Sequence, residues 1–158
     1  MIVVADTSPL NYLLLIDEIQ LLPAIFGQVL VPQAVFQELQ HPKSSPTVRQ
    51  WISDLPVWLE VRSVASVPLV PALMSLDEGE REAIQLALEL GISTVLIDET
   101  EGRRVAEKLH LAVRGTLGIL ERAAKLDKVN LRQALGKLEH TNFRISPAVR
   151  GALLKRNP

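Results

Sequence analysis

The chain has 158 residues, 47% of them hydrophobic and 22% charged, with a formal net charge of −1 and no cysteine. That balance fits one folded domain with a substantial core, and it excludes a disordered chain, a disulfide scaffold, thiolate metal sites and cysteine nucleophiles. It also excludes a global basic field, so any nucleic-acid surface must be a local patch. No apolar run suits a bilayer span and the N-terminus lacks a signal-peptide pattern, so a cytoplasmic protein with no membrane partner is expected.

Residues 2–5 form an unbroken, mostly β-branched apolar run that ends in Asp6, Thr7 and Ser8. Such a run fits a central parallel strand buried on both faces, with Asp6 at its carboxyl end, where open α/β sheets place their ligand crevices. Thr7 or Ser8 is expected to cap the next helix, with Pro9 in its first turn. Residues 10–15 and 17–25 are apolar segments, and Gly27 supplies a left-handed stop. A second strand over 28–31 is closed by Pro32, followed by a helix over 33–40 and a loop over 41–46. A short helix over 47–53 leads to an alternating, edge-type strand over 57–61. Residues 63–74 carry Pro68 and Pro71 and are expected to be an irregular, mobile connection.

The strongest helix opens at residues 76–80, runs to Leu90 and stops at Gly91. A buried strand over 93–97 then ends in Asp98 and Glu99, and a helix over 100–109 precedes a brief strand at 111–113. Gly115-Thr116-Leu117-Gly118 opens a helix that continues to Lys125, and one or two amphipathic helices follow from Asn130. This alternation predicts an α/β fold with a mainly parallel sheet of about five strands covered on both faces. If the first and fourth strands are neighbours, Asp6 and Asp98 face each other at the topological switch point.

Helical spacing adds two acids. Glu80 precedes Ala83 and Ile84 by three and four residues and so shares the core stripe that continues through Ala87 and Leu88. A carboxylate on that stripe is costly unless neutralised, paired or bound to a metal. Glu38 follows Ala34 and Val35 by four and three residues and leans toward the inner face. Asp77 and Glu78 suit a helix start, whereas Glu82 and Glu89 read as solvent-facing. Carboxylates gathered this closely require a cation between them, and an oxygen-only set selects a hard ion, Mg²⁺ or Mn²⁺. Such ions activate water and hold a phosphodiester for in-line attack.

The stretches Val3-Val4-Ala5-Asp6-Thr7-Ser8-Pro9-Leu10, Val31 through Leu39, Leu76 through Ile84, Leu96-Ile97-Asp98-Glu99 and Gly115-Thr116-Leu117-Gly118 resemble the PIN-domain ribonucleases. The bacterial and archaeal branch that includes the VapC-type toxins is the nearest in pattern. The resemblance covers roughly residues 1–127, a PIN-like catalytic domain, with 128–158 as a helical extension of the same domain. It implies a three-layer α/β/α fold and a metal site of Asp6, Glu38, Glu80 and Asp98, where Mg²⁺ or Mn²⁺ supports cleavage of single-stranded RNA. It further implies a homodimer and, for toxins, a cognate antitoxin protein. The chain departs from the family at Ile97-Asp98-Glu99-Thr100-Glu101, which lacks the family's aromatic and leaves the extra carboxylate open between Glu99 and Glu101.

Thr7, Ser8 and Thr116 are candidate phosphate contacts as well as helix caps, and Gly115 permits close backbone approach. Arg103, with Arg104, Lys108 and Arg114, is a candidate phosphate patch or an ordinary solvated helix face. Two other readings stand beside the nuclease. One is a phosphoryl-transfer or receiver-like domain in which an Asp at a strand end is the nucleophile, although Asp6 lacks an Asp two positions later and no lysine is well placed. The other is a non-catalytic PIN-like binding module.

Overall fold

A computed structural model describes residues 1–65 and 70–158. The strands are β1 (Ile2–Ala5), β2 (Gln28–Pro32), β3 (Leu59–Arg62), β4 (Thr94–Leu96) and β5 (Ala112–Arg114). The helices are α1 (Thr7–Leu15), α2 (Leu21–Ile25), α3 (Gln33–Gln40), α4 (Pro46–Ile52), α5 (Glu78–Leu90), α6 (Thr100–Lys108), α7 (Thr116–Lys125), α8 (Leu131–Glu139) and α9 (Pro147–Arg156). All strand pairs are parallel, in the order β3-β2-β1-β4-β5.

Side-chain alternation in the strands explains the layers. Val3 and Ala5 of β1, with Val29 and Val31 of β2, enter one apolar cluster with residues of α1, α3, α4, α7 and α8. Val4, Leu30, Val95 and Ile97 enter a second cluster with residues of α5 and α6. A strand that must bury both faces has no polar side, which is why these runs read as continuous hydrophobics rather than as alternating ones. Each fully buried Leu, Ile or Val removes enough apolar surface from water to contribute about 1.5–3 kcal/mol. Sheet and helices therefore form the three layers expected, and β3 takes the edge position its alternation predicts. Leu10 and Leu13 are fully buried in the first cluster, so the face of α1 that carries them is core.

Two local expectations are corrected. Neither Thr7 nor Ser8 caps α1: Asp6 is the residue before its first turn, and no side chain there accepts a cap hydrogen bond. Pro71 does not exclude regular structure, because Pro71–Ser75 form a 3-10 helix with the proline at its start, where no intrahelical N–H is needed. Pro68, the other residue on which that expectation rested, lies outside the described residues.

The reversal of strand order falls between β1 and β4, where chain connections leave in opposite directions and open a crevice at the carboxyl ends. The Asp6 N–H donates to the Leu96 carbonyl at 2.9 Å, which locks the exit of β1 against β4.

Two glycines separate backbone requirement from packing. Gly91 ends α5 at φ +67°, and a methyl added there would meet nothing within 4 Å. Gly136 sits inside α8 in equally open space at ordinary helical φ. Gly91→Ala should therefore lower unfolding free energy by about 1 kcal/mol, and Gly136→Ala should raise it by about 0.5–1 kcal/mol. Urea unfolding monitored by circular dichroism checks both signs.

Candidate functional site

Five carboxylates and two hydroxyls line one small pocket of about 200 Å³ at the switch point: Asp6, Glu38, Asp77, Glu80, Glu99, Thr7 and Ser8. Each arrives for a local reason. Asp6 is carried by the buried end of β1 and is itself only 5% exposed. Glu80 is equally buried, because its helix presents the Ala83–Ile84 stripe to the core and Gly102 of α6 packs over its carboxylate. A methyl on Gly102 would lie 3.4 Å from Glu80 Oε2 and 3.2 Å from Ile97 Cγ2, so the close approach of α6 depends on that glycine.

Glu38 lies on the exposed side of α3 rather than facing inward, yet it reaches the pocket, where the Thr7 hydroxyl donates to its Oε2 at 2.6 Å. Asp77 precedes the first turn of α5 and accepts the Glu80 N–H at 2.9 Å, satisfying one of the otherwise unpaired donors of a helix start. It also faces the pocket. In the sequence Asp77 reads as a helix-start residue alone; its i, i+3 relation to Glu80 is the signal that puts both on one face.

Gly79 carries no sequence signal of its role. A Cβ at this position would stand 3.1 Å from both Asp6 Oδ1 and Glu38 Oε2. The missing methyl thus leaves open the space toward which these two oxygens converge. No Lys or Arg among the described residues forms an ion pair with Asp6, Glu38, Asp77, Glu80 or Glu99.

The electrostatic consequence is large. Burial raises the Asp6 carboxyl to about 8, the charges of Asp77, Glu80 and Glu38 add to the rise, and the Thr7 N–H opposes it. Burial likewise raises Glu80 to about 7, with Asp77 and Glu99 contributing. A carboxylate that cannot shed its proton at neutral pH is waiting for a positive charge.

Asp98 has a different environment. It accepts the Thr116 N–H on one oxygen at 2.6 Å and the Thr116 hydroxyl on the other at 2.7 Å. It therefore caps α7 from the end of β4, where Gly115 has no side chain to do so. Arg103 lies alongside: a methyl on Gly115 would sit 2.5 Å from its Nη1 and 2.8 Å from Asp98 Oδ1. Burial raises the Asp98 carboxyl, and the Thr116 bonds and the Arg103 charge pull it back. Asp98 does not line the five-carboxylate pocket; it lines the larger cleft beside it.

The remaining candidates separate accordingly. Glu99 lines the pocket, whereas Glu101 pairs with Arg104 on the exposed side of α6. Thr116 is 0% exposed with both donors on Asp98, which leaves it none for a substrate phosphate. Ser8 borders both the pocket and the cleft, and Arg103 lines the cleft. Glu82 and Glu89 are not simply solvent-facing: Glu82 accepts the Ala34 N–H at the start of α3, and Glu89 accepts the Ala65 N–H.

Among the described residues no three His, Asp or Glu side chains are gathered closely enough to hold one ion jointly. The donor chemistry nevertheless fits a hard divalent cation: the pocket offers carboxylates and hydroxyls only, keeps a cradle at Gly79, and has room for water ligands. A cation there would draw on these oxygens both directly and through water ligands.

The raised carboxyls make a stability prediction. The native chain keeps a proton on Asp6 that the unfolded chain releases from its ordinary value of 3.8, and this difference lasts until about 8. Proton binding by the native state alone means stability falls as pH rises through that window. In metal-free buffer the urea midpoint should therefore drop between about pH 5 and pH 8, and Asp6→Asn should flatten the drop. A midpoint that rises over this range, or a profile unchanged by the substitution, contradicts the assignment.

Comparisons with curated proteins and with solved structures gave no match. A family model described as a PIN domain matches residues 2–157, which takes in α8 and α9 as well as the sheet. PIN domains are generally nucleases and typically use divalent metals. The chain belongs to the PIN-domain family.

Proposed function

We propose that this PIN domain is an endoribonuclease that hydrolyses single-stranded RNA with Mg²⁺ or Mn²⁺. The observation that carries the reading is the convergence of five carboxylates, two of them buried with raised affinities for protons, on one pocket without a cationic side chain. Asp6, Glu38 and Glu80 would hold the cation, with Glu99 and Asp77 completing the oxygen set. When bound, the ion supplies charge neutralisation and activates water toward phosphorus.

The side chains have separable tasks. Asp6 and Glu80, both kept away from bulk water, are the groups that would give up protons on holding an ion. Thr7 orients Glu38 through its hydroxyl. Asp98 acts at one remove: by holding Thr116 with both oxygens it fixes the start of α7 against β4. Glu99 is the adjacent residue, so this fixed corner sets where its side chain enters the pocket.

The receiver-like alternative draws less support, since Asp6 is followed two positions later by Ser8 rather than a second Asp and no lysine among the described residues lines the pocket. A role as the toxin of a toxin–antitoxin pair, with a cognate antitoxin and a homodimeric state, is proposed from the sequence resemblance to VapC-type toxins.

The test is cleavage of labelled single-stranded RNA in Mn²⁺, Mg²⁺ and EDTA. Asp6→Asn and Glu80→Gln should each lower the rate by at least about 100-fold, and Thr116→Val, which removes one donor from Asp98, by about 10-fold. Gly79→Ala should lower it comparably to the ligand variants while leaving the fold intact, because alanine favours the helix. Cleavage that persists in EDTA, or that survives Asp6→Asn, overturns the reading.

A further inference from the structure

A cleft of about 940 Å³ opens beside the acidic pocket, between the β5–α7 corner and the C-terminal segment that runs through residues 142–156. The two spaces share Ser8 and Glu99, so a ligand lying in one continues into the other. The cleft differs from the pocket in its charge. Arg103, Arg114, Arg144 and Arg156 line it, against Asp98, Glu99 and Glu121.

Hydrogen bonding decides which of these charges face a ligand. Asp98 is held by Thr116, and Glu121 accepts from Arg156 at 3.1 Å and from Asn157 at 2.7 Å. Arg103 turns inward and donates to the Ile97 carbonyl at 3.4 Å. Arg114 and Arg144 are exposed and form no ion pair among the described residues. Glu99, which the cleft shares with the acidic pocket, also forms no ion pair among the described residues, so four arginines against three carboxylates leave the lining cationic by one charge, with the unpaired guanidiniums on the edge strand β5 and on the C-terminal segment. In a chain of net charge −1 this is a local feature, not the drift of a basic protein.

The cleft also has an aromatic wall. Tyr12 of α1 and Phe143 pack edge to face with ring centroids 4.9 Å apart, and the Tyr12 hydroxyl donates to Asn142 Oδ1 at 2.7 Å. Burial, then the charges of Asp98 and Glu99, raise the Tyr12 phenol, so it remains a neutral donor. A rigid ring beside free guanidiniums is the combination that takes up unpaired bases and their phosphates.

We propose that this cleft is the subsite for the single-stranded RNA flanking the bond that is cut, with Arg114 and Arg144 contacting its phosphates and Phe143 receiving a base. The proposal rests on the nuclease reading of the adjacent pocket, and it gives the C-terminal segment a part in substrate binding. A single strand is favoured over an acidic peptide because planar bases use the aromatic wall, which carboxylate side chains would leave empty.

Fluorescence anisotropy with a labelled single-stranded RNA in EDTA, where the pocket is kept free of cation, tests the subsite apart from cleavage. Arg114→Ala and Arg144→Ala should each weaken binding about 10-fold and reduce the slope of log affinity against log salt by about 0.7. Phe143→Leu, which keeps apolar packing, should weaken binding at least about 5-fold with the slope unchanged. Arg49→Ala, an exposed arginine on α4 away from the cleft, should bind as wild type. Wild-type affinity in the Arg114 and Arg144 variants, an equal loss in Arg49→Ala, or displacement of the RNA by poly-glutamate at matched charge overturns the proposal. Parallel assays in Mn²⁺ keep the two readings distinct. Cleavage that is unaffected by the cleft variants removes the subsite and leaves the nuclease; RNA binding that depends on both arginines without any cleavage removes the nuclease and leaves the cleft.

Discussion

The structure turns on the burial of two carboxyl groups, Asp6 and Glu80, at one edge of the sheet with no cationic side chain among the described residues paired to either. Burying a carboxylate is unfavourable, and burying two that repel each other more so, unless protons or a cation neutralise them. The fold keeps a destabilised site at its topological switch point, and the remaining arrangements support it. Gly102 lets α6 close over Glu80, and Gly79 keeps the space between Asp6 and Glu38 open. Thr7 steadies Glu38, and Asp77 holds the first turn of α5.

Asp98, in the same region, has different partners. It lies two residues beyond β4, the strand beside β1, but its two oxygens are taken by Thr116 and its flank by Arg103. That bidentate bond joins the segment after β4 to the start of α7. Asp98 lines a cleft with exposed arginines and an aromatic pair, which adjoins the smaller acidic pocket. Glu99 and Ser8 stand at the boundary. A polyanionic chain fits such an arrangement, because it needs a cation at the reacting phosphate and guanidiniums at the others.

The layers and the buried acids were legible in sequence because they follow from periodicity. An apolar run with no polar side reads as an inner strand, and a glutamate three and four residues before core positions reads as buried. The direction of the Asp98 side chain was not legible, since it is set by the approach of Thr116, 18 residues later. Helical spacing points Glu38 toward the core, whereas α3 leaves it exposed and Thr7 draws it to the pocket. The cleft was less accessible still: Tyr12 meets Asn142 across 130 residues, and neither Phe143 nor Arg144 sits in a recognisable pattern. Long-range partners of this kind leave no periodic trace.

The most direct test of a cation at the Asp6–Glu80 pocket is calorimetric titration of Mn²⁺ into the protein near neutral pH, repeated in buffers of different ionisation enthalpy. Because Asp6 and Glu80 hold protons up to about 8 and about 7, binding should release protons, so the apparent enthalpy should change with the buffer. Asp6→Asn should abolish both binding and release. Absence of binding, or binding whose heat is the same in every buffer, would contradict a cation held by these two carboxylates.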